Sequence, residues 1–527
     1  MTNTARPIAA SGVERPRSGH LLRVLLGVCL VAIGVGAVVA ADALATAPEA
    51  RIVGGNRPVN AGALDLRDIN SHNSPTVVRN PVNGAQLAMA NRIDTPFFSC
   101  ALHLSHNGGS TWFQTPIPIP GGEEPKCYAP EPAFGADGVL YLSYVTLQGQ
   151  GNVPNAGWIV SSKDGGRTLS QPVRALGRLS FQVRLVADPQ VPARIYLASL
   201  QAADTATLAF PDAGYPINIV RSDDGGSTWG APVRVSAPDR ERVVAPSLAI
   251  GPNGLYLSYL DLGADRLDYH GGHDGLGGDP YDGTWSLVVA RSNDGGHRWE
   301  ESVVDRRIVP SERFIVFIPP YPSIAVDAGG RRVYASFNDS AKGDSDVWVW
   351  ASKDSGLTGG GRVRVNDTPV ADGTSQYRPK LAVSPEGRLD VVYYDRRKDA
   401  DNVMNEVSFQ SSFDGGKSFA PSLRVSDRPF DSTIGFGSER NMPDLGSRLG
   451  LVSSRNRALT VWSDTRSGTV ASNKQDLVQA VVDVTPPGGL SNTTRTAVKA
   501  AAVAVGILGV ALVLLSLLGT KKKDLAF

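Results

Sequence analysis

The chain has 527 residues, 42% of them hydrophobic, with 52 Lys and Arg against 51 Asp and Glu for a formal net charge of +1. That balance leaves no basic footprint, so nothing suggests a nucleic-acid partner. The 57 Gly and 36 Pro point to many short strands joined by turns.

A basic segment with Arg15, Arg17 and Arg23 leads into the apolar run Val24 to Ala41, followed by "ALA" at Ala43 to Ala45. Residues 1–45 read as a secretory signal with a small-residue cleavage site. The run is long for a signal core, so an uncleaved N-terminal anchor is the other reading.

From residue 74 a pattern recurs: a Pro-led apolar strand, a Gly turn, then a strand rich in Tyr and Val that ends near an Asp. It reads "APEPAFGADGVLYLSYV" from Ala129, "APSLAIGPNGLYLSYLD" from Ala245 and "RPKLAVSPEGRLDVVYYD" from Arg378, with related stretches from Ser74, Val183, Tyr321 and Met442. Seven such units fit between residues 46 and 485, and a fixed period of this kind implies a repeat architecture. After six of them comes a second motif, aligned on Asn107, Asp164, Asp224, Asp294, Asp354 and Asp414, as in "SDDGGSTW" from Ser222 to Trp229. The acid bonds to backbone N–H groups, glycine supplies positive φ and the aromatic covers the turn, so each copy is expected at a hairpin tip between two strands. Chemistry repeated six times in one chain is implausible, which makes these acids fasteners.

Each unit then supplies four strands, and the last lacks its fourth. The segment near Arg51 to Val53 is expected to fill that place and close the ring, protecting the open sheet edges. Cys100 and Cys127 are the two cysteines of the body, and outside the cytoplasm they either join the first two units as a disulfide or stay as buried thiols. After a linker at residues 486–499, the uncharged run Ala500 to Gly519 is long enough to span a bilayer. Lys521, Lys522 and Lys523 follow it, which places a short tail at 520–527 in the cytoplasm and the body outside.

The repeated motif resembles the Asp box, or bacterial neuraminidase repeat, Ser-x-Asp-x-Gly-x-Thr-Trp, of the sialidase-like β-propellers, over about Ser74 to Val484. The resemblance implies an all-β propeller of four-stranded blades, with the boxes on the face away from the active site. Seven blades are favoured by the count of units, and six, the number in active sialidases of that family, is the alternative.

On the opposite face the loops entering each first strand carry Glu241, Arg242, Tyr377, Arg378, Glu439 and Arg440, and the loops leaving the second strands carry Asp395, Arg396, Arg397, Asp464 and Arg466. The resemblance implies an arginine cluster that grips a substrate carboxylate, for which Arg242, Arg378 and Arg440 are the candidates. It also implies a Tyr and acid pair as nucleophile, Tyr377 with Glu439, and a carboxylic acid, Asp395 or Asp94. The family's Arg-Ile-Pro is Asn73-Ser74-Pro75 here, and no Tyr stands near Met442. Arg and Asp pairs that brace adjacent blades are the competing reading of the same residues.

No cofactor is expected. The loop from Leu262 to Gly283, with His270, His273, Asp265, Asp268, Asp274, Asp279 and Asp282, could hold Ca²⁺ or Zn²⁺, although its spacing matches no established metal loop. The expected role is recognition of a glycan or other surface ligand by a membrane-anchored, extracytoplasmic propeller. The alternatives are an exo-glycosidase acting on acidic sugars and a protein-interaction scaffold.

Overall fold

The structure is a computed structural model that describes residues 18–43, 47–60, 69–205, 214–266, 281–310, 321–358, 360–438, 444–488 and 492–521. They fall into two compact units, residues 50–484 and the two chain ends together.

The larger unit is a seven-bladed propeller. Six four-stranded blades lie at residues 72–115, 127–176, 180–234, 243–308, 323–364 and 376–424, the sixth with one extra short strand, Phe430–Asp431. The seventh is built from Gly450–Ser453, Arg457–Asp464, Asp476–Thr485 and, as its outer strand, Glu49–Pro58 from the other end of the chain. The N-terminal strand therefore closes the ring as its sequence implies. Arg51 reaches Asp483 while Val59 N–H bonds to the Leu477 carbonyl, so this strand runs opposite to its neighbour.

Second strands are packed by other blades on both faces, which explains their runs of Tyr and Val. In Leu389–Asp395 every residue is buried. The apolar clusters accordingly bridge blades: one groups Leu87 and Met89 of blade one with Leu459 and Val461 of blade seven.

The six boxes occupy the hairpins between third and fourth strands. In the copy at Asp224, Ser222 Oγ donates to Asp224 Oδ1 at 2.7 Å, Thr228 N–H to the same oxygen at 2.9 Å and Thr228 Oγ1 to Oδ2 at 2.6 Å. Gly226 N–H donates to Ser222 Oγ at 2.8 Å. Gly226 has φ +89°, and a Cβ there would lie 2.8 Å from Ile159 of the preceding blade. The same holds at Gly166, where a Cβ would collide with the Leu104 side chain of blade one. The box thus fastens its own hairpin and also seats it on the neighbouring blade. Cys100, in the third strand of blade one, and Cys127, in the first strand of blade two, form a disulfide with Cα atoms 5.7 Å apart.

The smaller unit contains two helices, α1 (Ser18–Ala43) and α2 (Asn492–Lys521). Their apolar stretches of 20 and 23 residues are each long enough to cross a bilayer. α2 begins at Asn492, within the expected linker.

Candidate binding site at the propeller axis

The first strands of five blades share one irregularity. Their register with the second strand shifts between Asn73 and Thr76, Tyr128 and Glu131, Phe181 and Arg184, Val244 and Ser247, and Tyr377 and Lys380. At each bulge a non-glycine residue has positive φ: Ser74, Ala129, Gln182, Ala245 and Arg378, at 50–60°. Four of the five are followed by Pro, which lacks the N–H that a bulge leaves unpaired. A bulge re-aims the side chain that follows it.

Those following residues converge. Arg184 Nη1 lies 3.0 Å from Glu131 Oε2, and Arg448, which precedes the first strand of blade seven, reaches the same oxygen at 3.1 Å. Thr76 Oγ1 donates to Glu131 Oε2 at 3.1 Å and accepts from Arg448 Nε at 2.7 Å. The Arg184 guanidinium stacks 3.9 Å from the centre of the Tyr321 ring. These contacts join blade two to blade seven and blade three to the start of blade five. Non-neighbouring blades can meet only at the axis, so the cluster lies in the central channel.

Lys380 completes it and feels the charges of Glu131, Arg184 and Arg448. It keeps a part-exposed surface, as a channel-lining residue does, while burial pushes its ammonium down to about 8. Burial, reinforced by the like charge of Arg184, pushes Arg448 down to about 10.

A second group adjoins the first through Tyr128. Arg92 lies 2.5 Å from Asp94 Oδ1 and 2.9 Å from Asp444 Oδ2, and its guanidinium stands 5.4 Å from the Tyr128 ring centre. Asn73 donates to Asp94 Oδ2 at 2.8 Å, and Arg378 Nη2 lies 3.6 Å from Asp444 Oδ1. Burial raises the Asp94 carboxyl above the usual range despite the opposing charge of Arg92. Burial likewise raises the Tyr128 phenol. Five cations, Arg92, Arg184, Arg378, Lys380 and Arg448, thus stand against three carboxylates, Asp94, Glu131 and Asp444.

Of the residues expected from sequence, Arg378 and Asp94 belong to this site. Arg242 lies instead near the Tyr215 phenol, whose pKa burial raises and the Arg242 charge only partly offsets. Tyr377 is buried in the apolar cluster of blades six and seven, its hydroxyl bonded to Asn405 at 2.8 Å and its ring 4.8 Å below the Arg396 guanidinium. Asp395 is wholly buried and accepts from Arg397 Nε at 2.6 Å and Ser408 Oγ at 2.6 Å. Arg397 also bonds Asp367, just past the last strand of the preceding blade, at 2.8 Å, the bracing arrangement weighed above. Asp464, Arg466 and Asp427 repeat it one blade on. Glu439 and Arg440 lie outside the described residues.

Of the metal candidates in the Leu262 to Gly283 loop, His270, His273, Asp268, Asp274 and Asp279 also lie outside them, and Asp265 accepts from the Trp285 indole at 2.8 Å. Among the described residues no group of three or more His, Cys, Asp or Glu is placed to hold a metal ion.

Sequence reading chose the arginines before the strand-opening prolines, whereas the residues after the bulges reach the axis. The available signal was the position after Pro: Thr76, Glu131 and Lys380 all occupy it.

No protein-family model matches the chain, and no characterised protein matches it by sequence. Solved structures with a similar fold include a protein of unknown function from Dyadobacter fermentans, 13% identical, with a TM-score of 0.45 over 83% of this chain and 99% of that one. A GH93 α-L-arabinofuranosidase of Fusarium graminearum is 16% identical, with a TM-score of 0.39 over 69% of this chain and 95% of that one. A Trypanosoma rangeli sialidase is 12% identical, with a TM-score of 0.43 over 68% of this chain and 58% of that one.

Proposed function

We propose that the protein is a membrane-anchored, extracytoplasmic sialidase-like propeller that binds an acidic glycan, or another anionic surface ligand, in its axial channel. The observation that carries this reading is the excess of cations crowded at the axis. Holding Arg184, Arg448 and Lys380 around one carboxylate costs desolvation and repulsion that folding alone does not require. An anionic ligand would offset both, through charge-assisted and, at the guanidiniums, paired hydrogen bonds. The test is calorimetric titration of the full chain with uronic and sialic acid saccharides against neutral ones. Acidic saccharides should bind, and Arg184→Ala should weaken them by roughly 2 to 5 kcal/mol if the contact is desolvated. Equal binding of acidic and neutral sugars, or indifference to Arg184→Ala, overturns the reading.

A further inference from the structure

We infer that the N-terminal apolar segment stays in the mature protein as a transmembrane helix, docked antiparallel on α2 through a face of small residues. A Cβ on Gly27 would lie 2.7 Å from the Gly509 carbonyl oxygen and 2.7 Å from Val513 Cγ2. One on Gly34 would lie 2.7 Å from the Ala502 carbonyl oxygen, and one on Gly509 would lie 2.6 Å from that of Gly27. Side chains larger than hydrogen at these positions would force the helices apart. Gly19 and Gly36 of α1 meet nothing within 4 Å, so the close approach belongs to one face. In a bilayer, where lipid is as apolar as leucine, such backbone contact is what holds helices together.

Moving from Gly27 to Gly34 on α1 moves the contact from Gly509 back to Ala502 on α2, so the pair is antiparallel. That orientation puts Arg23, near the start of α1, on the same side as Lys521, at the end of α2. Each helix taken separately demands the same, because basic flanks stay in the cytoplasm. Connectivity agrees: α1 leads into strand Glu49–Pro58 and α2 follows strand Asp476–Thr485, which are neighbours in one sheet. A signal that is removed has no lasting partner, and its apolar core is ordinarily shorter than this helix. The protein so described crosses the membrane twice with both ends inside.

Two measurements test this on the full chain. With one epitope ahead of Met1 and another after Phe527, a single membrane-bound polypeptide should carry both; a mature N-terminus near Thr46 overturns the inference. The docking is then read by crosslinking in a Cys29→Ala background. Val31→Cys with Val510→Cys, which line one groove between the helices and leave the close-packed glycines intact, should couple within one chain several-fold more than Gly36→Cys with Val510→Cys, since Gly36 faces away from α2. Val35→Cys with Val503→Cys, which line the same groove, repeats the reading at a second level. If neither contact pair exceeds the control in an uncleaved chain, the helices are not docked as described.

Discussion

Trp112, in the box of blade one, donates its indole N–H to Gln479 Oε1 of blade seven at 2.9 Å. The amide nitrogen of Gln479 in turn donates to the carbonyl of Gly109 in the same box. Ring closure therefore rests on the borrowed outer strand and also on the first box seating itself on the last blade.

Gln479→Leu keeps the side-chain bulk and removes both bonds. It leaves an indole N–H and a carbonyl unsatisfied in a half-buried seam, at about 1 to 3 kcal/mol. The urea midpoint should fall while ligand binding at the axis is kept. An unchanged midpoint would mean that the outer strand alone closes the ring.

The boxes also set an acid limit. Hydrogen bonds from Thr228 and Ser222 hold the Asp224 carboxyl down at about 2, and equivalent bonds from Ser352 and Thr358 do the same for Asp354. Because the folded values lie below the ordinary value of 3.8, this stabilisation is fully present above about pH 4 and is lost as pH falls through about 2. Thermal midpoints should stay level from neutrality to about pH 4 and then drop. Asp224→Asn should lower the neutral midpoint and flatten part of the drop.

The architecture was legible because the repeated box is a local device: Ser222, Asp224, Gly226 and Thr228 satisfy one another within a few residues, so their spacing carries the whole signal. Ring closure was legible too, since a count of strands leaves one vacancy and one spare segment. The axial site was less so. Arg184, Glu131 and Arg448 come from three different blades and meet only because bulges at Ala129 and Gln182 turn the chain, and no local spacing records which side chain a bulge re-aims. Asp395 misled for the opposite reason. It ends a second strand beside Arg396 and Arg397, which reads equally well as an active-site rim and as a brace.

That brace makes its own prediction. Asp395→Ala leaves Arg397 without its buried partner and strips Ser408 of its acceptor, which should cost about 3 to 5 kcal/mol of stability. Affinity of the remaining folded protein for an acidic saccharide should be nearly unchanged. A selective loss of binding or turnover with stability intact would return Asp395 to the functional site.

Lys380 separates a ligand site from a structural one most sharply, because the two roles predict opposite signs. Its ammonium is held down at about 8 from an ordinary 10.5 by burial among Arg184 and Arg448. Between those values the unfolded chain binds the extra proton and the folded one does not, so stability of the empty propeller rises with pH across the window. At neutral pH the charged lysine is a burden on the order of a few kcal/mol, and Lys380→Met should raise the thermal midpoint. An anion in the channel needs that same charge. Its affinity should fall as pH rises through about 8 in wild type, and Lys380→Met should bind more weakly with no such step. Trading stability for a charge at the axis is what a binding site does. If Lys380→Met instead lowers the midpoint, the ammonium is a counter-ion for Glu131 and the cluster a brace.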